Sequence, residues 1–246
     1  EKPQDAYATI ASRSMEAIPE RLRPYWDRKT TKRSVMVIPY NAKPYSNRSY
    51  IREAFKEKGI DVSKEELTAC VSAVRATMNM VVPGAMDVMK WIEKEVARYI
   101  KSGAQVIKWT TPSGFKVEQR LMKTESTVIR TQLMGRCEVH VAGAEIGVDL
   151  KHHKNATAPN LIHSLDASIL QLSTIKFHDP IALIHDSVLC RATDMCKLST
   201  LVRKSYMTLF SEHEPLKDFA LAIDAEENPP IIGDLEPSEV IDSQYF

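Results

Sequence analysis

Apolar and small residues recur three and four positions apart through most of the first hundred residues, and this spacing predicts helices. The predicted helices cover residues 5–17, 28–38, 63–82 and 86–100. Ser63 opens a Ser-Lys-Glu-Glu sequence close to a capping box, which marks the start of the third helix, and Pro83-Gly84 marks its end. The first part of the chain is therefore predicted to be a set of packed helices.

From Val106 the period changes to one typical of strands. Residues 106–109 and 115–118 predict a β-hairpin, and residues 128–133 and 137–141 predict a second, more exposed hairpin around Gly135. Residues 161–177 and 194–211 are predicted helices. Between them, residues 181–190 predict a hairpin buried on at least one face, with His185 and Asp186 at its tip. Antiparallel strands combined with many helices predict an α+β fold.

The composition narrows the class of protein. The 246-residue chain has 43% hydrophobic and 26% charged residues and no apolar run of membrane-spanning length, which excludes a transmembrane, collagenous or wholly disordered protein. No membrane partner is expected. Its four cysteines are too few and too scattered for a disulfide framework, so we expect reduced thiols and a cytoplasmic location. Because the chain begins with Glu1, we expect a processed product or the rear part of a longer protein.

Charge is divided unevenly along the chain. Residues 1–213 contain 32 Lys and Arg against 23 Asp and Glu, whereas residues 214–246 contain one against nine. A basic body suits a polyanionic partner, and an acidic tail is either a solvated extension or an intramolecular shield. Ordinary solvated surfaces carry similar imbalances, so charge alone does not identify the partner.

The segment from Arg28 to Tyr40 places cations and an aromatic ring on one side of a predicted helix. Arg28 and Lys32 stand one turn apart, and two further turns bring Tyr40 broadly to the same side. Such a stripe suits a nucleoside triphosphate, because fixed cations hold the β and γ phosphates and offset charge on the leaving pyrophosphate. A solvated basic helix with a packed tyrosine is the alternative, and is the commoner explanation of such a segment taken alone.

The pair His185-Asp186 lies between two apolar strands. A carboxylate at a buried hairpin tip is costly unless a cation meets it, and Mg²⁺ is the natural partner for such an oxygen ligand. The alternative is a turn aspartate that forms an Asx-type hydrogen bond.

These two motifs, with Pro159-Asn-Leu-Ile-His163-Ser-Leu-Asp166 between them, resemble the C-terminal part of the single-subunit DNA-directed RNA polymerases of bacteriophages and mitochondria. The segment 28–40 resembles motif B of the family's fingers, and Ile184-His185-Asp186-Ser187 resembles motif C of its palm. Residues 158–168 resemble the segment that carries a histidine near the nascent base pair. Further similarities at residues 4–7, 109–115 and 233–246 extend the resemblance to essentially the whole chain.

The resemblance implies the fingers and palm portion of a right-hand polymerase. Fingers helices with motif B would occupy residues 1–105, hairpins with a promoter-specificity loop residues 106–157, and the palm with motif C and a C-terminal tail residues 158–246. The implied reaction transfers ribonucleotides from their triphosphates to an RNA 3′-hydroxyl on a DNA template, with pyrophosphate release and two Mg²⁺ ions. Promoter-specific phage transcription is the implied setting.

The resemblance also implies residue roles. Arg28 and Lys32 would bind the triphosphate. Tyr40 would stack in the nucleotide pocket and, with His163, distinguish a ribose 2′-hydroxyl from its absence. Asp186 would bind the catalytic Mg²⁺ ions, with His185 supporting the hairpin tip.

Three features depart from the family pattern. Asn41 follows Tyr40 where the family usually has glycine, and because asparagine tolerates positive φ we expect the turn to survive. Pro39 should kink or end the helix. The family's first metal-binding aspartate, in motif A upstream of motif B, has no counterpart between Glu1 and Arg28. We therefore expect the chain to need a missing N-terminal part and to be inactive alone.

The hairpin around Gly135 corresponds in position to the family's promoter-specificity loop. Its side chains with donors or acceptors suited to base edges in the major groove are Arg130, Arg136, Glu138 and His140. They are equally compatible with an exposed polar strand face. A zinc site is a further alternative, built from Cys137, His140, His152 and His153. We do not expect it, because the spacing fits no usual finger and the family needs no structural zinc.

Two other classes of protein remain open. A family-A DNA polymerase shares the Arg, Lys, Tyr helix and the His-Asp tip, but its motif C typically continues with Glu where this chain has Ser187, and the Pro-Asn-x-x-His setting of His163 favours the RNA enzymes. A non-catalytic nucleic-acid-binding module would bind in a salt-dependent way, and Asp186→Ala would strengthen or spare that binding.

Overall fold

The computed structural model describes residues 5–132, 135–231 and 233–243. The helices are α1 (Ala6–Ser14), α2 (Arg28–Val37), α3 (Pro44–Glu57), α4 (Lys64–Val81), α5 (Pro83–Lys101), α6 (Leu150–Ile175), α7 (Met195–Glu212), α8 (Pro215–Ala222) and α9 (Glu239–Asp242). The strands are β1 (Ile107–Thr110), β2 (Lys116–Gln119), β3 (Met122–Thr131), β4 (Cys137–Val148), β5 (Ile181–Ile184) and β6 (Ser187–Cys190). Helices with small antiparallel sheets are compatible with the predicted α+β class. Gln4 and residues 244–246, which belong to segments that resemble the family, and Leu133, the predicted end of a strand, lie outside the described residues.

Side-chain caps explain where several helices begin. Asp5 accepts hydrogen bonds from the backbone N–H groups of Tyr7 and Ala8 at the start of α1. The Ser63 hydroxyl accepts from Glu66 N while the Glu66 carboxylate accepts from Ser63 N, so the predicted capping box at α4 is confirmed. Each cap satisfies donors that have no partner inside their own helix.

The described strands form three separate two-stranded antiparallel sheets. In the first, Trp109 pairs with Val117, and in the last, Ile184 pairs with Ser187. The longest sheet joins β3 and β4, with irregular register near Thr124. The three predicted hairpins are therefore confirmed, and the second is longer than its apolar positions indicated.

Two hydrophobic clusters hold the helices together. The first joins α1 to α4 and includes the fully buried side chains of Ile10, Leu22, Ile51, Phe55 and Leu67. The second joins α5, β1, α6 and α8 and includes Ile92, Trp109, Leu161 and Phe219. Helix α5 contributes Met86 to the first cluster and its later residues to the second. It therefore connects the helical region carrying α2 to the region carrying α6.

The hairpin of β5 and β6 is not buried, so that part of the prediction is wrong. Leu183, Ile184 and Leu189 are 44%, 54% and 57% exposed. In the described part of the chain these strands pair only with each other. An apolar strand sequence becomes buried only when another element packs over it, and the sequence pattern does not identify that element.

Helix α6 begins earlier than predicted and contains Pro159. A proline usually interrupts a helix because it lacks an N–H, yet α6 continues through this one. Asp149 instead caps the helix at Leu150, with its carboxylate accepting from His152 N at 2.9 Å. The helix thus runs across the predicted division at residues 157 and 158, while the division into three functional regions stays a prediction. None of the helices in the described ranges has both the length and the hydropathy to span a membrane.

Candidate nucleotide-binding site

Helix α2 is fixed at its start by a partly buried polar cluster. Asp27 caps the helix by accepting from the N–H and hydroxyl of Thr30, both at 2.9 Å, and forms an ion pair at 2.9 Å with Lys58, the residue that follows α3. Partial burial alone would raise the pKa of the Asp27 carboxyl, but the hydrogen bonds from Lys58 and Thr30 outweigh it and lower the pKa to about 2. The carboxylate therefore stays charged and anchors the helix.

The helical period then divides the side chains of α2 between core and surface. Thr30, Thr31, Ser34 and Val35 are buried, whereas Arg28 and Lys32 are exposed one turn apart, as predicted. The basic stripe is therefore held by a packed face rather than by its own charges.

The four cations of α2 have different surroundings. Lys29 and Arg33 face α3, where they form ion pairs with Glu57 at 3.0 Å and Glu53 at 2.8 Å. Arg28 forms an ion pair with Asp5, and its guanidinium carbon lies 5.3 Å from the centroid of the Tyr7 ring. Lys32 forms no ion pair with any residue in the described ranges. The Arg28 and Lys32 stripe is thus distinct from the stripe that attaches α2 to α3.

The chain turns sharply after α2. The helix ends at Val37, a 3₁₀ turn covers Ile38–Tyr40, and Asn41 has φ of 61°. The expected end of the helix near Pro39 and the survival of a left-handed turn at Asn41 are both observed. Asparagine occupies this region of backbone space more readily than most residues with a side chain.

The turn brings the ring of Tyr40 against that of His163 on α6. Their centroids are 5.0 Å apart and the ring planes are tilted by 47°. Partial burial, followed by the nearby Asp166 carboxylate and then Tyr7 and Asp186, raises the pKa of the Tyr40 hydroxyl. Tyr40 therefore stays a neutral hydrogen-bond donor in a negatively charged neighbourhood, and part of it remains accessible to a ligand.

Asp166 was not among the predicted site residues. It follows His163 by three positions on α6, so both side chains project from the same side of the helix. Desolvation raises the pKa of the Asp166 carboxyl, His163 opposes this, and the Asp186 carboxylate raises it further. Asp166 is exposed as a residue, so its desolvation comes from atoms crowding the carboxyl rather than from enclosure.

His185 and Asp186 form the tip of the last hairpin, as predicted. His185 has φ of 55°, a left-handed conformation that costs on the order of 1 kcal/mol for a residue with a side chain. The Asp186 carboxylate accepts a long 3.5 Å hydrogen bond from the Ser187 hydroxyl and has no cationic partner among the residues that the structure describes. The expected buried carboxylate is therefore an exposed one, available to a ligand.

The carboxylates of Asp166 and Asp186 are oxygen ligands of the kind that a hard cation such as Mg²⁺ prefers. In the described ranges, no group of three or more His, Cys, Asp or Glu side chains is placed to hold a metal ion. Asp186 and Asp166 supply two carboxyl groups, and the Asp186 carboxylate is close enough to raise the pKa of Asp166. In nucleotide sites, Mg²⁺ commonly binds through one or two carboxylates together with phosphate oxygens and water. These two carboxylates therefore suit Mg²⁺ that is also held by the oxygens of a triphosphate. They are too few to hold Mg²⁺ by protein ligands alone.

The long β3–β4 hairpin exposes the side chains predicted to read DNA. Arg130 and Glu138 are directly opposite in the register and form an ion pair at 2.9 Å. His140 Nδ1 lies 3.4 Å from the Ser126 hydroxyl, and Arg136 is exposed in the connecting loop. Because opposite residues share a face, Arg130, Glu138 and His140 lie on one side of the hairpin.

The four candidate zinc ligands do not form a cluster within the described residues. His153 is buried, its Nδ1 lying 3.1 Å from the Gln119 amide nitrogen and its Nε2 accepting from Leu121 N at 3.2 Å. Burial, followed by the neighbouring His152, lowers the pKa of its imidazole. The position of His153 is therefore explained by a structural role, in which the neutral imidazole joins α6 to β2.

The structure thus brings Tyr40, His163, Asp166 and Asp186 to one region, with Arg28 and Lys32 exposed on the preceding helix, and leaves the β3–β4 residues on a separate hairpin. Sequence reasoning missed Asp5, Tyr7 and Asp166. Asp5 could have been found as a helix-capping residue, and Asp166 from its helical spacing to His163. A cationic stripe, a pair of rings and exposed carboxylates are chemical groups suited to a nucleoside triphosphate.

Comparison with known proteins identifies the family. Residues 1–229 match the family model described as DNA-dependent RNA polymerase. The DNA-directed RNA polymerase 2, chloroplastic/mitochondrial, of Arabidopsis thaliana is 29% identical over an alignment covering 100% of this chain and 27% of the relative. The DNA-directed RNA polymerase 3, chloroplastic, of Nicotiana sylvestris is 30% identical, covering 89% of this chain and 23% of the relative. The DNA-directed RNA polymerase 2A of Nicotiana tabacum is 28% identical, covering 100% of this chain and 81% of the relative.

The chain belongs to the phage-type, single-subunit DNA-dependent RNA polymerase family. It spans about a quarter of the length of the Arabidopsis and N. sylvestris relatives. The resemblance inferred from the two motifs is therefore confirmed.

Proposed function

We propose that this chain forms the nucleotide-binding fingers and palm portion of a DNA-directed RNA polymerase. The observation that carries the proposal is that Lys32 is exposed on α2 with no ion pair among the described residues, and that the turn after this helix brings Tyr40 against His163 and near Asp186. A basic helix serving only solubility would not explain why Tyr40, in the turn that follows it, contacts a histidine ring beside two carboxylates.

Each residue has a proposed task in the reaction. Lys32 and Arg28 bind the β and γ phosphates of the incoming ribonucleotide, which offsets the negative charge that grows on pyrophosphate as it leaves. Tyr40 and His163 contact the sugar and base. The RNA 3′-oxygen forms a bond to the α-phosphorus, the bond from that phosphorus to the bridging oxygen breaks, and the hydroxyl proton goes to solvent.

Asp186 would hold Mg²⁺, with His185 shaping the tip that presents the carboxylate. A pair of bound Mg²⁺ ions supplies activation of the 3′-hydroxyl and neutralisation of the leaving oxygen. The family's first metal-binding aspartate has no counterpart between Glu1 and Arg28, so we propose that a carboxylate from outside this chain completes the two-ion site and that the chain alone does not extend RNA. The expected cytoplasmic location also stays a proposal.

The test is primer extension on a DNA template by the full-length polypeptide that contains this chain, with Mg²⁺ and either ribonucleotides or deoxyribonucleotides. Ribonucleotide incorporation that disappears in Asp186→Asn supports the assignment, and Asp179→Asn, which removes a carboxylate paired with Arg191 and Lys197, should leave it unchanged. A preference for deoxyribonucleotides would indicate a DNA polymerase. If the polypeptide binds DNA but incorporates no nucleotide, the alternative of a non-catalytic nucleic-acid-binding module would be supported.

The β3–β4 hairpin is proposed to read promoter bases. Arg136 is the strongest candidate because, unlike Arg130, it has no ion-pair partner in the described ranges. Arg136→Ala should reduce the preference for promoter over unrelated DNA in a competition assay, whereas Lys123→Ala on the same hairpin should weaken both DNAs alike. Equal loss for both DNAs in Arg136→Ala would contradict the assignment.

A further inference from the structure

The turn that follows Tyr40 is tied to α6 by the side chain of Asn41. Its Nδ2 donates to the side-chain oxygen of Asn155 at 3.1 Å and lies 3.5 Å from the carbonyl oxygen of Lys154. Its Oδ1 accepts from Lys43 Nζ at 2.7 Å. A lysine ammonium only donates, so the Asn41 oxygen must face Lys43 and its NH₂ group must face Asn155.

We propose that Asn41 is a positioning residue that fixes the spacing of Tyr40 and His163 and thereby sharpens the discrimination between ribose and deoxyribose. This inference rests on the proposed function of the Tyr40 and His163 pair. Asn41 acts on the sugar through its neighbour and through α6, without contacting the nucleotide.

The geometry gives two points of contact between the same two elements. Asn41 is adjacent to Tyr40, and Asn155 precedes His163 by two turns of α6, roughly 12 Å along the helix axis. One contact between two rigid elements leaves them free to rotate about it, whereas two separated contacts fix their relative orientation. The side-chain tie at Asn155 and the ring contact at His163 are those two points.

Helix α6 has a weak position between the two contacts. Pro159 lacks the N–H that would bond to the carbonyl oxygen of Asn155, so the helix bends most easily there. A bend at this position would carry His163 toward or away from Tyr40. Because Asn41 holds the turn of α6 just before Pro159, it restrains that bend.

The other side of the turn is held independently. Arg75 of α4 donates from Nη1 to the carbonyl oxygen of Ala42 at 2.9 Å and to Asn47 Oδ1 at 3.0 Å. Glycine would adopt φ of 61° without strain and keep the Arg75 contact. Asn41→Gly is therefore expected to remove the contact to α6 while the turn itself persists.

The first test measures nucleotide discrimination by the full-length polypeptide. The variants are Asn41→Gly, Asn155→Ala and Asn155→Asp, the last of which keeps an oxygen that accepts from Asn41. The ratio of kcat/KM for ribonucleotides over deoxyribonucleotides should fall about threefold to tenfold in the first two, the range that one hydrogen bond supplies, and be retained in Asn155→Asp. Asp224→Gly, which relaxes another residue of positive φ in the segment after α8, should leave the ratio unchanged.

A ratio that stays at the wild-type value in both Asn41→Gly and Asn155→Ala would overturn the inference. Equal losses of kcat/KM for both kinds of nucleotide would also overturn it, because a purely structural role would lower both alike.

The second test does not depend on activity. The ring current of Tyr40 is expected to change the NMR chemical shift of the carbon-bound protons of the His163 imidazole, and Tyr40→Ala gives the value without that ring. In Asn41→Gly and Asn155→Ala the chemical shift should move from the wild-type value toward that of Tyr40→Ala. An unchanged shift in both would overturn the proposed spacing role. If wild type incorporates no nucleotide at all, the proposed function fails and the discrimination with it, while the ring shift still decides whether Asn41 sets the spacing.

Discussion

Arg28 of α2 forms an ion pair with Asp5, the residue that caps α1, and its guanidinium carbon lies 5.3 Å from the centroid of the Tyr7 ring. The Arg28 hydrogen bond, with help from backbone N–H groups, lowers the pKa of the Asp5 carboxyl. The cation proposed to bind a triphosphate is therefore already paired with a carboxylate, and a nucleotide must compete with Asp5 for it.

Replacing Asp5 by serine should raise nucleotide affinity, because serine keeps a cap for α1 but removes the competing carboxylate. Exposed ion pairs are weak because water and salt screen them, so we expect an increase of only about 1.5-fold to fivefold in triphosphate binding at low salt. The gain should shrink at high salt. Isothermal titration of wild type and Asp5→Ser, bound to primer and template, measures it. Unchanged or weaker binding would show that Asp5 orients Arg28 rather than competing for it.

The two basic stripes of α2 should respond differently to alanine. Lys32→Ala removes an unpaired cation and should weaken triphosphate binding about tenfold or more, since hydrogen bonds to charged groups contribute about 1.5–3 kcal/mol. Lys29→Ala is the matched control, because that side chain instead faces Glu57 of α3. It should change affinity less than about twofold. Similar losses in the two variants, measured as KM for the ribonucleotide, would mean that α2 attracts phosphate only through its overall charge.

Acid should loosen the start of α2. The pKa of Asp27, about 2, lies below its ordinary value of 3.8, so its stabilising effect is complete above about pH 5 and is lost as the pH falls toward 2. Lys58→Ala should destabilise the protein by about 1 kcal/mol at pH 7, after allowance for solvent screening, and by much less at pH 2.5. Urea unfolding at both pH values measures this difference. Lys56→Ala, in the last turn of α3, is the control, and an effect of Lys58→Ala that does not change with pH would contradict the pairing.

Thiol reactivity should follow burial. Cys70 is fully buried in the first hydrophobic cluster, and burial raises the pKa of its thiol to about 12. Cys137 and Cys196 are exposed. Because the thiolate is the reactive form, a short pulse of N-ethylmaleimide at pH 7.5 should label the two exposed cysteines and leave Cys70 unmodified until the protein is unfolded. Peptide mass spectrometry identifies the labelled sites. Labelling of Cys70 as fast as Cys137 would mean that the first cluster opens readily.

Local signals in the sequence determined the elements that carry the site. The capping box at Ser63, the basic stripe from Arg28 to Lys32, the end of α2 near Pro39 and the hairpin tip at Asp186 were all predicted and observed. Each depends on hydrogen bonds or steric limits between residues only a few positions apart, so the sequence within that window is sufficient. The motifs in their order also sufficed to identify the family.

Tertiary structure decided which of these side chains meet and which face solvent. The pairing of Arg28 with Asp5, the contact of Tyr40 with His163, the tie from Asn41 to Asn155 and the exposure of β5 and β6 all depend on how separate helices and strands pack. Residue type and spacing do not specify that packing, because the same apolar strand or exposed cation suits several neighbours. The sequence by itself therefore determined the site's chemical groups. The packing of α2 against α1, and of the turn Ile38–Tyr40 against α6, decided their partners and accessibility, since those contacts join residues far apart in the chain.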